Sequence, residues 1–124
     1  MDITPVVGKE FQLINGYGDG GFTVAGTRHE GSVLILATQT LAWSPRSLDE
    51  VIPESLAELF QAGPRPTVLL LGCGKGMRPV PKPLRDACRP LGIVVEPMDT
   101  GAACRTFNVL LTEGRDVAAA LIAV

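Results

Sequence analysis

Residues 67–78 read TVLLLGCGKGMR, an apolar run that stops at three closely spaced glycines and two cations. From Thr67 to Leu71 no polar residue alternates with the apolar ones, the pattern of a strand covered on both faces. Such a strand needs helices above and below its sheet, so the stretch predicts an α/β fold. The glycines that follow, Gly72, Gly74 and Gly76, let the backbone turn and bring N–H groups close to an anion, with Lys75 and Arg78 supplying charge.

Downstream, the prolines of PVPKP precede a helix predicted from about Lys82 to Leu91. Leu84, Ala87, Cys88 and Leu91 form its apolar stripe and Gly92 ends it. Ile93–Val95 is the next buried strand, with Pro97 as its stop, so residues 67–95 form a β-α-β unit. Thr100 or Asp99 then caps a third helix with Ala103, Phe107, Leu110 and Leu111 on its inner face and Gly114 at its end. Arg105, Asn108 and Thr112 lie on a polar stripe of that helix. In the terminal DVAAALIAV the alanines favour helix, whereas length and position after Gly114 favour a last sheet strand. We read it as strand.

Upstream, a helix is predicted over Pro53–Ala62, with Ile52, Leu56, Leu59 and Phe60 on one face and Gly63 and Pro64 beyond it. Ser32–Thr38, SVLILAT, is a buried strand, and Trp43 closes its layer. Phe11–Ile14 and Phe22–Ala25 read as short antiparallel strands joined by a loop, NGYGDGG, and TRHEG reads as a second turn. The whole is one α/β domain over residues 1–124, a mixed central sheet with a β-α-β core and an antiparallel N-terminal hairpin.

A formal net charge of −2 gives the molecule as a whole no attraction to nucleic acid or an anionic membrane. Locally, Lys75, Arg78, Lys82, Arg85 and Arg89 share a window with one acid, Asp86, while Asp49, Glu50, Glu54 and Glu58 form a patch without cations; these read as two solvated faces. Cys73, Cys88 and Cys104 are too few and too widely spaced for a disulfide framework or a zinc site, and Cys88 reads as a small core hydrophobe. His29, the only histidine, has no second ligand or orienting group and reads as a solvated turn residue. The stretch up to Pro5 has neither basic nor apolar character, and no run approaches the roughly 20 apolar residues of a membrane helix. The expectation is a soluble protein in a reducing cytoplasm.

The glycine turn fits no common phosphate signature. Met77 stands where G-x-G-x-x-G needs its third glycine, and G-x-x-x-x-G-K-[ST] is absent. LLLGCGKG is similar to the glycine motif of class I methyltransferases, and Glu96 sits where those enzymes place a ribose-binding acid. Yet the prolines at 79, 81 and 83 push the helix away from the turn. Cys73 as a nucleophile has Lys75 nearby but no histidine. What remains is a shared corner. The loop at 72–78 and the cap at 99–101 leave the carboxyl ends of adjacent parallel strands, so Gly72, Gly74, Lys75, Arg78 and Arg105 can converge on a small anion or acidic peptide, with Asp99 and Asn108 orienting it. The competing expectation is that these polar groups satisfy one another and the helix end.

Residues 98–122, MDTGAACRTFNVLLTEGRDVAAALI, with Trp43, the strand ending in GCG, and GIVVEPMDT, resemble the family called domain of unknown function 498, whose relatives include the mitochondrial complex I assembly factor 3. The resemblance covers nearly the whole chain. It implies a three-layer α/β domain with a final strand, and an accessory role in building a respiratory complex. The family pattern reads G-T-G at Gly72, Cys73 and Gly74, which counts against an obligatory cysteine nucleophile. Arg105, Thr106, Asn108, Glu113 and Arg115 match its signature, for which the resemblance establishes no catalytic role, and a Glu113–Arg115 pair across Gly114 would fix the last turn. The expected function is a non-enzymatic accessory or interaction protein, with a role in assembling a membrane complex like respiratory complex I. The alternative is a small-anion or nucleotide-binding protein, enzymatic or not, that uses loop 72–78, S-adenosylmethionine being the least favoured ligand. No cofactor, nucleic acid or integral membrane segment is expected; protein partners are, and a homo-oligomer stays open.

Overall fold

The computed structural model describes residues 11–124; the charge-poor stretch up to Pro5 lies outside them. A five-stranded mixed sheet runs in the order β5 (Thr40–Ala42), β4 (Val33–Ile35), β8 (Val117–Leu121), β6 (Val68–Gly72) and β7 (Val94–Met98). β6 is parallel to both neighbours, and β4 is antiparallel to β5 and β8. A separate antiparallel sheet holds β1 (Ile14–Gly18), β2 (Gly21–Val24) and β3 (Thr27–Glu30). Among the described residues three α-helices, α1 (Ala57–Gln61), α2 (Lys82–Cys88) and α3 (Thr100–Thr112), and three 3-10 turns, Leu48–Glu50, Pro53–Leu56 and Arg89–Leu91, complete the order.

The unbroken apolar run of β6 is explained by two cores. Leu69 and Leu71 pack with Leu56 and Leu59 and with Leu84 and Cys88 of α2 on one face of the sheet. Leu70 packs on the other face with Ala103, Phe107 and Leu111 of α3 and with Phe22 and Val24 of the small sheet. The result is three layers, helices and turns on one side, α3 and the small sheet on the other. β8 lies between β4 and β6, with all five of its residues buried. Hydrogen-bonding on both edges overrides the helical preference of its alanines, and the strand expected there forms.

Several boundaries differ from expectation. The stretch NGYGDGG is mostly strand, because Asp19 and Gly20 alone make the turn, both at positive φ (52° and 77°) as a two-residue hairpin loop requires. TRHEG is not a turn: Thr27–Glu30 is β3, paired with β2, and the loop before it is Ala25-Gly26, again with both φ positive. The helix expected at 53–62 opens as a 3-10 turn, Pro53–Leu56, before α1. Ile52 precedes it and is 52% exposed, off the apolar face assigned to it.

Pro97 does not end its strand either. It pairs with Leu71 inside β7. The Val94 N–H donates to Thr67 and the Met98 carbonyl accepts from the Cys73 N–H, so by alternation the backbone of Val95 and Pro97 faces away from the sheet. A residue without an N–H is tolerated at that outward position of an edge strand.

Candidate functional site

The carboxyl end of β6 is where the chain diverges. α2 follows it onto one face of the sheet, whereas α3, after β7, crosses the opposite face to reach β8. Open α/β sheets take ligands outside the strand ends at such a switch point. Here the position is occupied by the protein's own backbone. A Cβ on Gly72 would stand 2.9 Å from Leu121 Cδ2 and 3.1 Å from Thr100 Oγ1, so only glycine lets the first turn of α3 seat on the end of β6.

Thr100 is fully buried and acts as a stitch. Its N–H donates to the Gly74 carbonyl at 2.8 Å, its Oγ1 accepts from the Gly74 N–H at 2.9 Å, and its hydroxyl donates to the Ile122 carbonyl at 2.7 Å. The Ile122 N–H in turn donates to Gly72, and the Cys73 N–H to Met98. Asp99 is the N-cap of α3, its carboxylate accepting the Ala102 N–H at 2.8 Å. The loop at 72–78 and the cap at 99–101 therefore adjoin, as the sequence predicts.

The polar side chains expected to converge there have separate partners. Arg78 is ion-paired with Asp49 at 2.8 Å, joining the basic and acidic patches at one point. Arg105 donates to the Tyr17 hydroxyl at 3.0 Å. Asn108 accepts from the Ile14 N–H and donates to the Ile14 carbonyl, both at 2.8 Å, docking β1 on α3. Lys75 is exposed and makes no hydrogen bond or ion pair with another described residue. The helix following the loop begins only at Lys82, so the turn-then-helix geometry of a methyltransferase is not formed.

The remaining signature residues have structural surroundings. Trp43 is buried and its indole N–H donates to the Ser55 carbonyl at 2.7 Å. Thr106 is half-buried on α3. Glu113 and Arg115 are exposed and do not form an ion pair; the turn between them is closed by backbone bonds from Gly114 to Leu111 and from Arg115 to Leu110, with Gly114 at φ 78°.

All three cysteines are free and buried. Cys73 Sγ lies 3.5 Å from the Leu71 carbonyl and 3.6 Å from that of Arg78. Burial raises the Cys88 thiol and, opposed by the Arg105 charge and aided by that of Asp99, pushes Cys104 up to about 12, so both stay protonated. His29 is half-buried on β3 opposite Phe22. One recess, of about 460 Å³, lies beside the end of the glycine turn, lined by Arg78 and residues 79–81 with Leu48, Asp49 and Val51; two others lie away from it, one of about 270 Å³ among residues 36–39, 62–66 and 116–118, at the amino ends of β6 and β8, and one of about 490 Å³ along β7.

Residues 14–122 match the model of a protein family of unknown function, DUF498/DUF598. The chain belongs to this family. An uncharacterized protein of Rhodobacter capsulatus is 40% identical over 88% of this chain and 82% of its own length. The mouse NADH dehydrogenase [ubiquinone] 1 alpha subcomplex assembly factor 3 is 35% identical over 88% of this chain, which spans 59% of that relative. A crystal structure described as an outer membrane protein from Bartonella henselae superposes with a TM-score of 0.86 at 34% identity, covering 94% of this chain and 98% of that one. No helix of the described residues is long and apolar enough to cross a membrane.

In this DUF498 chain β1 also meets α3 through a contact that the sequence pattern does not signal. Tyr17 lies on Gly101, where a Cβ would come within 2.5 Å of its hydroxyl oxygen, and the same hydroxyl receives Arg105. Only the flanking glycines of β1 hint that an aromatic ring there has a special seat.

Proposed function

We propose that this chain is a non-enzymatic accessory protein that binds other proteins during assembly of a membrane complex like respiratory complex I. The observation that carries it is the stitched switch point. Where an enzyme of this architecture would admit a ligand, Thr100, Gly74, Gly72 and Ile122 spend their polar groups on one another. The relatives named as complex I assembly factors supply the class of partner. The test is deletion of the gene in its native cell followed by native electrophoresis of respiratory complexes. Accumulation of partial complexes, reversed by the wild-type gene, is expected; an unchanged complement overturns the proposal.

A second reading, a small-anion or nucleotide site at Gly72, Gly74, Lys75, Arg78 and Arg105 with Asp99 and Asn108 as orienting groups, is favoured by the unpartnered Lys75 ammonium and by the recess of about 460 Å³ that Arg78 lines. Calorimetry with inorganic phosphate and with ATP separates it from the first. Heat at millimolar ligand that Lys75→Ala abolishes supports the site, and no heat removes it.

A further inference from the structure

β7 is one of the two edges of the five-stranded sheet, β5 being the other. Among the described residues nothing pairs with its outer side, and an unpaired edge is a template for another strand. Its outward hydrogen-bonding groups are the Val95 N–H and carbonyl and the Pro97 carbonyl, since Pro97 has no N–H to offer. Beside this edge runs the groove of about 490 Å³, bounded by Arg85 and Arg89 and floored by residues 92–97.

The two guanidinium groups are exposed and hydrogen-bond to no other described side chain. Both act on Asp86 only through space, and Asp86 is itself held by Lys82 at 2.8 Å. One side of the edge thus carries free positive charge. Val95 turns its side chain into the core shared with α2, so Val94 and Glu96 point to the opposite face, where Val94 is 56% exposed. A strand added here would meet cations on one face and, on the other, Val94 flanked by the exposed Glu96 carboxylate, which disfavours acidic residues there.

We propose that β7 docks an extended segment of a partner protein by strand addition, a segment in which acidic residues alternate with apolar ones. Main-chain bonds to Val95 and Pro97 hold it, and Arg85 and Arg89 select its charge. A second copy of this chain is disfavoured as occupant: antiparallel β7 pairing would bring two sets of these arginines together, and the Ile93 N–H that would face Pro97 is already given to Cys88. The proposal rests on the interaction role above and names its surface.

The test uses a fluorescein-labelled peptide of alternating glutamate and valine, with a lysine and valine peptide as its match, added to the full chain. The acidic peptide is expected to bind at least tenfold more tightly, to slow exchange of the Val95 amide at least tenfold, and to lose at least tenfold in affinity with Arg85→Glu/Arg89→Glu, whose circular dichroism should match wild type. Equal binding of the two peptides, an unprotected Val95 amide, or dimerisation through β7 seen by sedimentation overturns it. In the deletion strain, restoration of complex assembly by the Arg85→Glu/Arg89→Glu gene would overturn this surface while leaving the accessory role standing. An unchanged set of complexes on deletion, with peptide binding intact, would overturn the accessory role alone.

Discussion

Thr100 and Gly74 are joined twice, the Thr100 N–H donating to the Gly74 carbonyl at 2.8 Å and the Gly74 N–H donating to Thr100 Oγ1 at 2.9 Å. The pair copies a strand ladder with a side chain in place of one backbone group, and so fixes α3 against the end of β6. Thr100→Val keeps the shape but leaves the Gly74 N–H and the Ile122 carbonyl without their partner. We expect a loss of about 2–4 kcal/mol in urea unfolding, against about 1 kcal/mol or less for Thr100→Ser, which retains the hydroxyl.

Asn108 closes a two-way bond with the backbone of Ile14, the first residue of β1. Asn108→Asp preserves the acceptor and removes the donor to the Ile14 carbonyl; Asn108→Ala removes both. Expected losses are about 1 kcal/mol and about 2–3 kcal/mol respectively. In hydrogen exchange the Ile14 amide should accelerate with Asn108→Ala and little with Asn108→Asp.

Tyr17 and Gly101 should be energetically coupled. Gly101→Ala gains helix propensity of about 1 kcal/mol but drives a methyl into the Tyr17 ring. A double-mutant cycle with Tyr17→Ala should give a favourable coupling of about 1–2 kcal/mol, since the alanine at 101 is tolerated once the ring is gone. Additive effects would mean that the ring relaxes at no cost.

Cys104 makes stability sensitive to alkali. Its thiol is pushed up to about 12 in the fold, against 9.0 ordinarily, so between these values the unfolded chain has released a proton that the folded chain retains. The unfolded state binds fewer protons, and stability falls as pH rises, with a slope approaching about 1.4 kcal/mol per pH unit from this group. Below pH 9 the contribution is flat. Cys104→Ala should remove that part of the slope when unfolding is followed from pH 8 to 11.

Ala25 holds φ at 49° on the exposed loop between β2 and β3, a conformation that costs an L side chain. Ala25→Gly should raise stability by about 0.5–1 kcal/mol in thermal or urea unfolding.

The sequence by itself determined the layers. An apolar run without alternation, Thr67–Leu71, can be satisfied only by cover on both faces, and the stripes of α2 and α3 supply that cover; Gly92 and Gly114 end both segments because positive φ is open to glycine. The hairpin boundaries were less legible, since a glycine-rich stretch permits strand and loop alike and only pairing with β2 makes Thr27–Glu30 extended. Tertiary structure alone decided that β7 is an edge, which is why Pro97 can lie inside a strand; the last alanines, read as strand from their place after Gly114, are held extended between two neighbours. It also decided the fate of the polar residues near the glycine turn. Arg78, Arg105 and Asn108 share a helix stripe or a loop in sequence, but a hydrogen bond forms with whatever acceptor the packing brings within 3 Å, and Asp49, Tyr17 and Ile14 come from segments no local pattern connects to them.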